Sequence, residues 1–542
     1  MASVEKEERE KVDLDTILEN EVGPFGKYQI VTLLLAALPI ISAAFAAGEY
    51  IFTTARIPSR YVIPQCDAAN PEFSPTWILN AIPGTSDTNF ENCERYVNLT
   101  SAVQQSDICP ANWFDSNRIE GCNDGYVYEN TFSVAYDFDM ACDEWRRSLI
   151  GSMRTFGTLL VLPITGYISD HWGRRVALTL NAFNTGWIGL VRSFVNSYEW
   201  FLILEVLEST VGAGAFSSCY ILVTELVGPK YRVIAGATIS SMFALGQVIL
   251  GFIAWGVPSW RPLTQVVYAP QLLVISYFWI LSESVRWLMT KSKYEEAERI
   301  LIKVAKTNKK ELSLKSLEAL RDTAEYEKTV EKPKEPWLPI LVCRSRVILT
   351  RCFVSPIWWI TNTLVYYGMS INAVNLSGNR YLNYVAVAAI EIPGYWTAIL
   401  LLDRVGRKPV LIFGYFLCAA CQIAFAFIPA GNDGVSLAVY LIGKYSIAMV
   451  MTSVYVYTAE LYPTRYLHSL FAFSSMIGRI GSIIAPLTPA LASEVWEPFP
   501  SVLFGSFAAL SGILIFTMPE TLGTKLPDTM EDAERIGSKQ TL

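Results

Sequence analysis

Histidine is nearly missing from this chain of 542 residues: His171 and His468 are the only two, and both fall at the ends of apolar runs. A buried histidine relay or a histidine-based metal site has nothing to be built from. Charge is scarce too, at 17% of residues, and it is clustered. No Gly-x-x-x-x-Gly-Lys-Ser/Thr phosphate loop occurs, so direct ATP coupling has no engine. No nucleophile arrangement stands out, and the cysteines lack zinc-ligand spacing. An enzyme is therefore not expected, nor a metal or a cofactor. The net charge of −7 gives no support to a nucleic-acid partner, and none is expected.

What the chain has is apolar length. Hydrophobic residues make up 52%, and mean hydropathy is +0.32. Crossing a ~30 Å hydrocarbon layer takes about 20 apolar residues in a helix. About twelve runs qualify: 28–48, 148–168, 176–195, 200–222, 233–256, 263–281, 347–369, 381–402, 410–429, 436–458, 467–491 and 502–518. Two of the charged turns between them are written twice. Asp170-His-Trp-Gly173-Arg174-Arg175 returns as Asp403-Arg-Val-Gly406-Arg407-Lys408, and Glu225-Leu-Val-Gly-Pro-Lys-Tyr-Arg232 returns, less closely, as Glu460-Leu-Tyr-Pro-Thr-Arg465. Both echoes sit roughly 235 residues apart, which points to duplication of one half. The pattern predicts an all-α integral membrane protein with about 12 transmembrane helices in two pseudo-symmetric six-helix halves, 28–281 and 347–518. A tail at 1–27, a linker at 282–346 and a tail at 519–542 complete it.

Lys and Arg in the short loops, at 171–175, 230–232, 404–408 and 465, all fall on the side of both termini. By the positive-inside rule that side is cytoplasmic, and the bilayer expected is the plasma membrane. The opening residues are acidic and polar, so no cleavable signal is expected ahead of the first span. The long loop 49–147 then lies outside and carries Cys66, Cys93, Cys109, Cys122 and Cys142. Cysteines gathered in an exoplasmic loop imply disulfides, and five of them imply two bridges and a spare thiol, with the pairing open. Asn98-Leu-Thr100 is a glycosylation acceptor there, whereas Asn375-Leu-Ser377 lies too close to the membrane. The linker alternates acid and base over 294–326 and ends at Pro333, Pro336 and Pro339, which predicts surface helices joining the halves.

Several motifs now carry a family resemblance over nearly the whole chain. Gly166-Tyr-Ile-Ser-Asp170-His-Trp-Gly173-Arg174-Arg175 is similar to the signature between helices two and three of the major facilitator superfamily. The cysteine-bearing first loop, Glu283-Ser-Val-Arg286-Trp287-Leu, Tyr367-Gly368-Met-Ser-Ile-Asn372, Glu391-Ile-Pro393-Gly-Tyr, Tyr457-Thr-Ala-Glu460-Leu-Tyr-Pro463-Thr and Pro519-Glu520-Thr-Leu-Gly523 resemble the organic ion transporter family, the carriers of organic cations, carnitine and organic anions. Two departures stand out: Ser282 where the family has proline, and Tyr61 where it has a cysteine, which explains the odd count. The resemblance implies a major facilitator fold and alternating access.

The repeated turn has a physical task of its own. An acid, a tight glycine turn and paired bases at a helix end can lock neighbouring helices through a charge network and helix dipoles. Asp170, Gly173, Arg174, Arg175, Glu225 and Arg232 are the candidates in one half, and Asp403, Gly406, Arg407, Lys408, Glu460 and Arg465 in the other. The alternative is that they only set topology, although topology needs the bases and not Asp170 or Asp403.

A charge inside a span costs about 3 kcal/mol or more and so tends to mark a pathway. Arg479 is foremost, about twelve residues into the eleventh run and hence about 18 Å deep. The resemblance, aligned through Gly481 and Pro486, implies an aspartate here in cation carriers and an arginine in carnitine and anion carriers. A guanidinium favours a carboxylate through a bidentate contact; the alternative is a buried partner for Glu391 or another acid. Arg154 in the second run and Glu205 and Glu208 in the fourth lie at similar depth. Either they form a salt bridge, or a free glutamate takes a substrate amine or a coupling proton; Glu391, midway down the eighth run before Pro393, could serve likewise. Lys444 reads as a snorkelling side chain. Trp359 and Tyr366 lie seven apart on one helix face, and the resemblance places such a pair in the substrate cavity. Tyr220, Tyr445 and Tyr455 could add cation–π or apolar wall, and Gln247 a polar contact.

The expected function is a secondary carrier of small organic zwitterions or anions, carnitine-like or amino-acid-derived, with sodium or a proton as the coupling ion if there is one. The rivals are an organic cation carrier, a sugar carrier and a non-transporting receptor on the same fold.

Overall fold

Hydrocarbon offers the backbone no water, so each span must satisfy its own N–H and C=O groups as a helix. The computed structural model describes residues 14–86, 89–99, 109–121, 125–329, 337–429, 431–524, 527 and 529–537; Cys122, Thr100, Pro333 and Pro336 lie outside them. The long helices follow the apolar runs closely: α1 Lys27–Thr53, α2 Glu144–Trp172, α3 Arg174–Arg192, α4 Tyr198–Leu226, α5 Arg232–Gly256, α6 Trp260–Ile280, α7 Arg346–Asn372, α8 Arg380–Val405, α9 Arg407–Ala426, α10 Asp433–Leu461, α11 Ser469–Glu494 and α12 Phe499–Phe516. Among the described residues, ten of these are long and apolar enough to cross a membrane. The exceptions, α3 and α7, have the length at 19 and 27 residues. Their hydropathy is lowered by polar groups turned inward, Asn181, Thr185 and Arg192 on α3 and Arg351, Ser355 and Asn362 on α7, all buried.

Helix breaks fall where side chains are needed. α8 is interrupted at Ile390, one residue before Glu391. α11 tightens to a 3-10 turn at Ala485–Leu487, around Pro486. Close approach elsewhere depends on glycine: a Cβ on Gly481 would stand 2.2 Å from Ile360 O, and one on Gly478 would stand 2.8 Å from Trp359 Cβ. α11 therefore lies directly on α7 on either side of Arg479.

Contacts between the two halves gather on the side of the large loop. Ser152 Oγ on α2 donates to Ile483 O on α11 at 2.8 Å. Phe52 on α1 meets Tyr381 and Tyr384 on α8 at ring distances of 5.8 and 4.8 Å. Gly151 packs against Tyr50 and Pro486. A gap of about 30 Å³ remains there, lined by Tyr50, Thr54, Gly151, Asn375 and Pro486 among others.

The loop itself holds three two-stranded antiparallel sheets. Two disulfides close it, Cys66–Cys109 and Cys93–Cys142. Tyr61 stacks on Tyr126 at 5.0 Å. Arg60, fully buried, is held by Asp67 at 2.6 Å. On the opposite side the linker helices Tyr294–Asn308 and Leu314–Thr329 share a core with the short helix Leu14–Asn20 beneath the first half, through Ile17, Leu18, Leu301, Val304 and Leu317.

Candidate functional site

Arg479 is half-buried. Among the described residues its side chain makes no ion pair or hydrogen bond; only its carbonyl is engaged, by Ser482 Oγ at 2.7 Å. Tyr455 on α10 lies within electrostatic range of Arg479, of Tyr367 on α7 and of Tyr220 on α4. Trp359 stands edge-on to Tyr455 at 4.8 Å and to Phe471 at 5.4 Å, and its indole N–H donates to Thr458 Oγ1 at 3.1 Å. An unpaired guanidinium beside an aromatic wall can take a carboxylate at one end of a ligand and pack its apolar or cationic body at the other.

The other deep charges are all engaged. Glu391 accepts from Lys444 Nζ at 2.9 Å, from Tyr366 O–H at 2.6 Å and from Tyr395 O–H at 3.0 Å. Lys444 also donates to Tyr366 O and Ser370 Oγ at 2.8 and 2.7 Å. One acid and one base give this cluster no net charge. Two expectations change as a result: Lys444 does not snorkel, being fully buried, because a counter-ion and two oxygens replace its water; and Glu391 is not the partner of Arg479. Tyr366 turns into this cluster, while the neighbouring Tyr367 lies within electrostatic range of both Tyr395 and Tyr455. Gln247 is buried on α5, and Tyr445 is half-buried on α10.

In the first half a larger network forms. Arg154 Nη1 meets Glu205 Oε1 at 2.7 Å, and Nη2 meets Glu208 Oε1 at 3.1 Å. Arg192 on α3 reaches Glu49 on α1 at 2.8 Å and Glu208 at 3.0 Å, and is in close contact with Glu205. Tyr268 O–H donates to Glu208 Oε1 at 3.1 Å. No charged member is more than 4% exposed. The salt-bridge account of Arg154 is the one the geometry bears. Glu49 and Arg192 went unread in the sequence because they lie at the ends of their apolar runs, where snorkelling is the default.

The duplicated turns fold into duplicated networks. Gly173 has φ 112° and Gly406 φ 111°, a left-handed region that glycine alone enters freely. Each begins a helix whose first N–H groups point at one carboxylate. Arg174 N and Arg175 N donate to Glu283 Oε1 at 2.9 and 3.1 Å; Arg407 N and Lys408 N donate to Glu520 at 3.0 Å each. Arg174 pairs with Asp170 at 2.8 Å and Glu225 at 3.5 Å, and Arg407 with Asp403 at 3.2 Å and Glu460 at 3.0 Å. Burial raises the Glu283 carboxyl above the usual range, against the pull of the backbone N–H groups of Ser284, Arg175 and Arg174. Each network joins its own half to the segment that follows it, through Glu283 of the linker and Glu520 of the second tail. Glu283 and Glu520 were legible, since they too lie about 235 residues apart. Arg232 joins Asp15 of the first tail at 2.5 Å, and Arg465 is exposed in the turn Thr464–Tyr466.

Residues 112–532 match the family model described as "Sugar (and other) transporter". The organic cation transporter protein of Drosophila melanogaster is 31% identical, over 96% of this chain and 94% of its own length. The chain belongs to the organic ion transporter family of the major facilitator superfamily. Mouse solute carrier family 22 member 3 is 29% identical over 96% of this chain and 95% of its own, and human solute carrier family 22 member 16 is 32% identical over 77% and 73%. Among solved structures, the inward-open xylose transporter from E. coli superposes with a TM-score of 0.62 at 16% identity, covering 94% of this chain and all of that one. This organic ion transporter is thus a multi-pass membrane carrier of small organic substrates, and its fold is that of a facilitator.

Proposed function

We propose that the chain moves small organic anions or zwitterions bearing a carboxylate across the plasma membrane, with both termini cytoplasmic, by rocking its two halves about a site at Arg479. The observation that supports this is a half-buried guanidinium without a protein counter-ion beside Trp359 and Tyr455. A half-buried charge without a counter-ion is unfavourable in a low-dielectric surrounding, and a bound carboxylate would compensate it. Tyr220 and Tyr367, in range of Tyr455, together with Gln247 and Tyr445, are the further contact candidates. Asn98 carries a glycan on the exposed loop. The repeated networks around Gly173 and Gly406 gate the cytoplasmic side, where Asp170 and Asp403 are the most exposed members at 71% and 77%.

A cation substrate is the second reading. It is favoured by the aromatic wall and by the name of the Drosophila relative. Uptake of a labelled panel of one anion, one zwitterion and one cation into expressing cells separates the two. Carboxylate uptake should exceed cation uptake and vanish in Arg479→Ala at unchanged surface abundance; uptake of the cation alone by wild type refutes the anion reading.

A further inference from the structure

Each half enters the membrane behind a short helix. Leu14–Asn20 precedes α1 and Leu338–Arg344 precedes α7, with 7 residues in each. The fold covers only one of them. Leu14, Ile17 and Leu18 of the first are buried in a core shared with the linker helices, and the residues left outside, Thr16, Glu19 and Asn20, are polar. Water suits that free side.

The second helix is apolar on both sides. Val342 and Leu338 pack inward with Ile348, Tyr462 and Leu470. Trp337, Ile340 and Arg344 follow at spacings of three and four, hence on one face. That face is bare: Trp337 is 74% exposed and Ile340 47%, and Arg344 is exposed beside them, as is Arg346 two residues on. Among the described residues neither guanidinium has an ion pair or an acceptor, and the Trp337 indole has none either.

Position and charge say what covers it. α7 has 27 residues, about 40 Å at the helical rise, against a hydrocarbon layer of ~30 Å. Its ends therefore reach the headgroups, and Arg346 is its first residue. An indole at that level sits where apolar and wet surroundings meet, and a free guanidinium binds phosphate oxygens bidentately. We propose that Trp337, Ile340, Arg344 and Arg346 form a docking surface for anionic phospholipid, with the apolar side chains in the headgroup boundary and the two arginines on the phosphates. The same surface repels Glu19 of the first short helix, so the lipid grips the second half and not the first. Leu470, against which the short helix packs, lies on α11, the helix that carries Arg479. Lipid bound here therefore bears on the helix of the transport site. Under the orientation proposed above this is the cytoplasmic leaflet, where anionic lipid is concentrated; the docking itself does not depend on that orientation.

The test uses the purified full chain and needs no substrate. Cys343 lies on the short helix and is exposed, whereas Cys219, Cys352, Cys418 and Cys421 are buried, so in a Cys122→Ser background a nitroxide can be placed on it. In vesicles of phosphatidylcholine and phosphatidylserine that nitroxide should relax more with oxygen than with a water-soluble nickel chelate. In nanodiscs, adding phosphatidylserine to phosphatidylcholine should raise the melting temperature of wild type and of Arg479→Ala. The rise should be mostly lost when Arg344→Gln and Arg346→Gln are combined, with affinity for phosphatidylserine falling roughly fivefold per arginine removed. A nitroxide that reports bulk water, a wild-type melting temperature indifferent to phosphatidylserine, or a rise that survives the loss of both arginines each overturns the proposal. Failure of the Arg479 reading leaves these readouts in place, so the two stand or fall separately.

Discussion

The two halves agree at one end and differ at the other. Toward the termini, Gly173 and Gly406, Glu283 and Glu520, Arg174 and Arg407, and Glu225 and Glu460 take the same positions in the same network. Toward the loop side, the first half buries three acids with two bases, and the second buries one acid with one base. The repeat keeps the networks toward the termini alike and lets the buried clusters toward the loop diverge. Arg479 belongs to neither pattern, since α5, its counterpart in the repeat, has no arginine in its interior.

The largest effect that would sharpen this contrast is the loss of one base from each buried cluster. Removing one partner of a buried pair costs about 3–5 kcal/mol. Arg192→Ala leaves three carboxylates on Arg154 alone and should abolish surface expression. Lys444→Met removes charge and keeps length, leaving one acid with two tyrosine donors, so a smaller loss is expected. Surface biotinylation and thermal melting of the two variants give the order; equal losses would contradict a greater charge imbalance in the first half.

Next come the paired glycines. Alanine at φ near 110° is strained by about 1–3 kcal/mol, and its Cβ would stand 2.2 Å from Glu283 Oε2 at Gly173 but 2.7 Å from Glu520 Oε2 at Gly406. Gly173→Ala should therefore slow turnover more than Gly406→Ala. Smaller still, Asp170→Asn and Asp403→Asn remove exposed pairs worth about 1 kcal/mol or less to stability. Turnover should change while abundance does not; parallel loss of both would remove the gating role from these aspartates.

Much of this was legible in the sequence. Apolar length located the spans, and the repeated Asp-x-x-Gly-Arg turn located the two networks, because both signals are periodic and local. What could not be read was partnership. Arg154 and Glu205 were visible as candidates, but Arg192 and Glu49, at the ends of their runs, looked like interface residues until folding brought α1, α3 and α4 together. Lys444 misled for the same reason: its depth could be counted, yet its counter-ion Glu391 lay on another helix. Tyr366 and Tyr367 differ by one position, about 100° of helix rotation, which a boundary uncertain by several residues cannot resolve. The two disulfides fit five loop cysteines, while their pairing came only from the fold.

The central claim is that a guanidinium without a protein partner selects the substrate. Its most direct test is the ratio of carboxylate to cation uptake in wild type and Arg479→Asp, measured at matched surface abundance. The ratio should fall by more than about tenfold, the change equivalent to about 1.4 kcal/mol of lost binding, with cation uptake gained. An unchanged ratio would mean that Arg479 does not touch what the carrier moves.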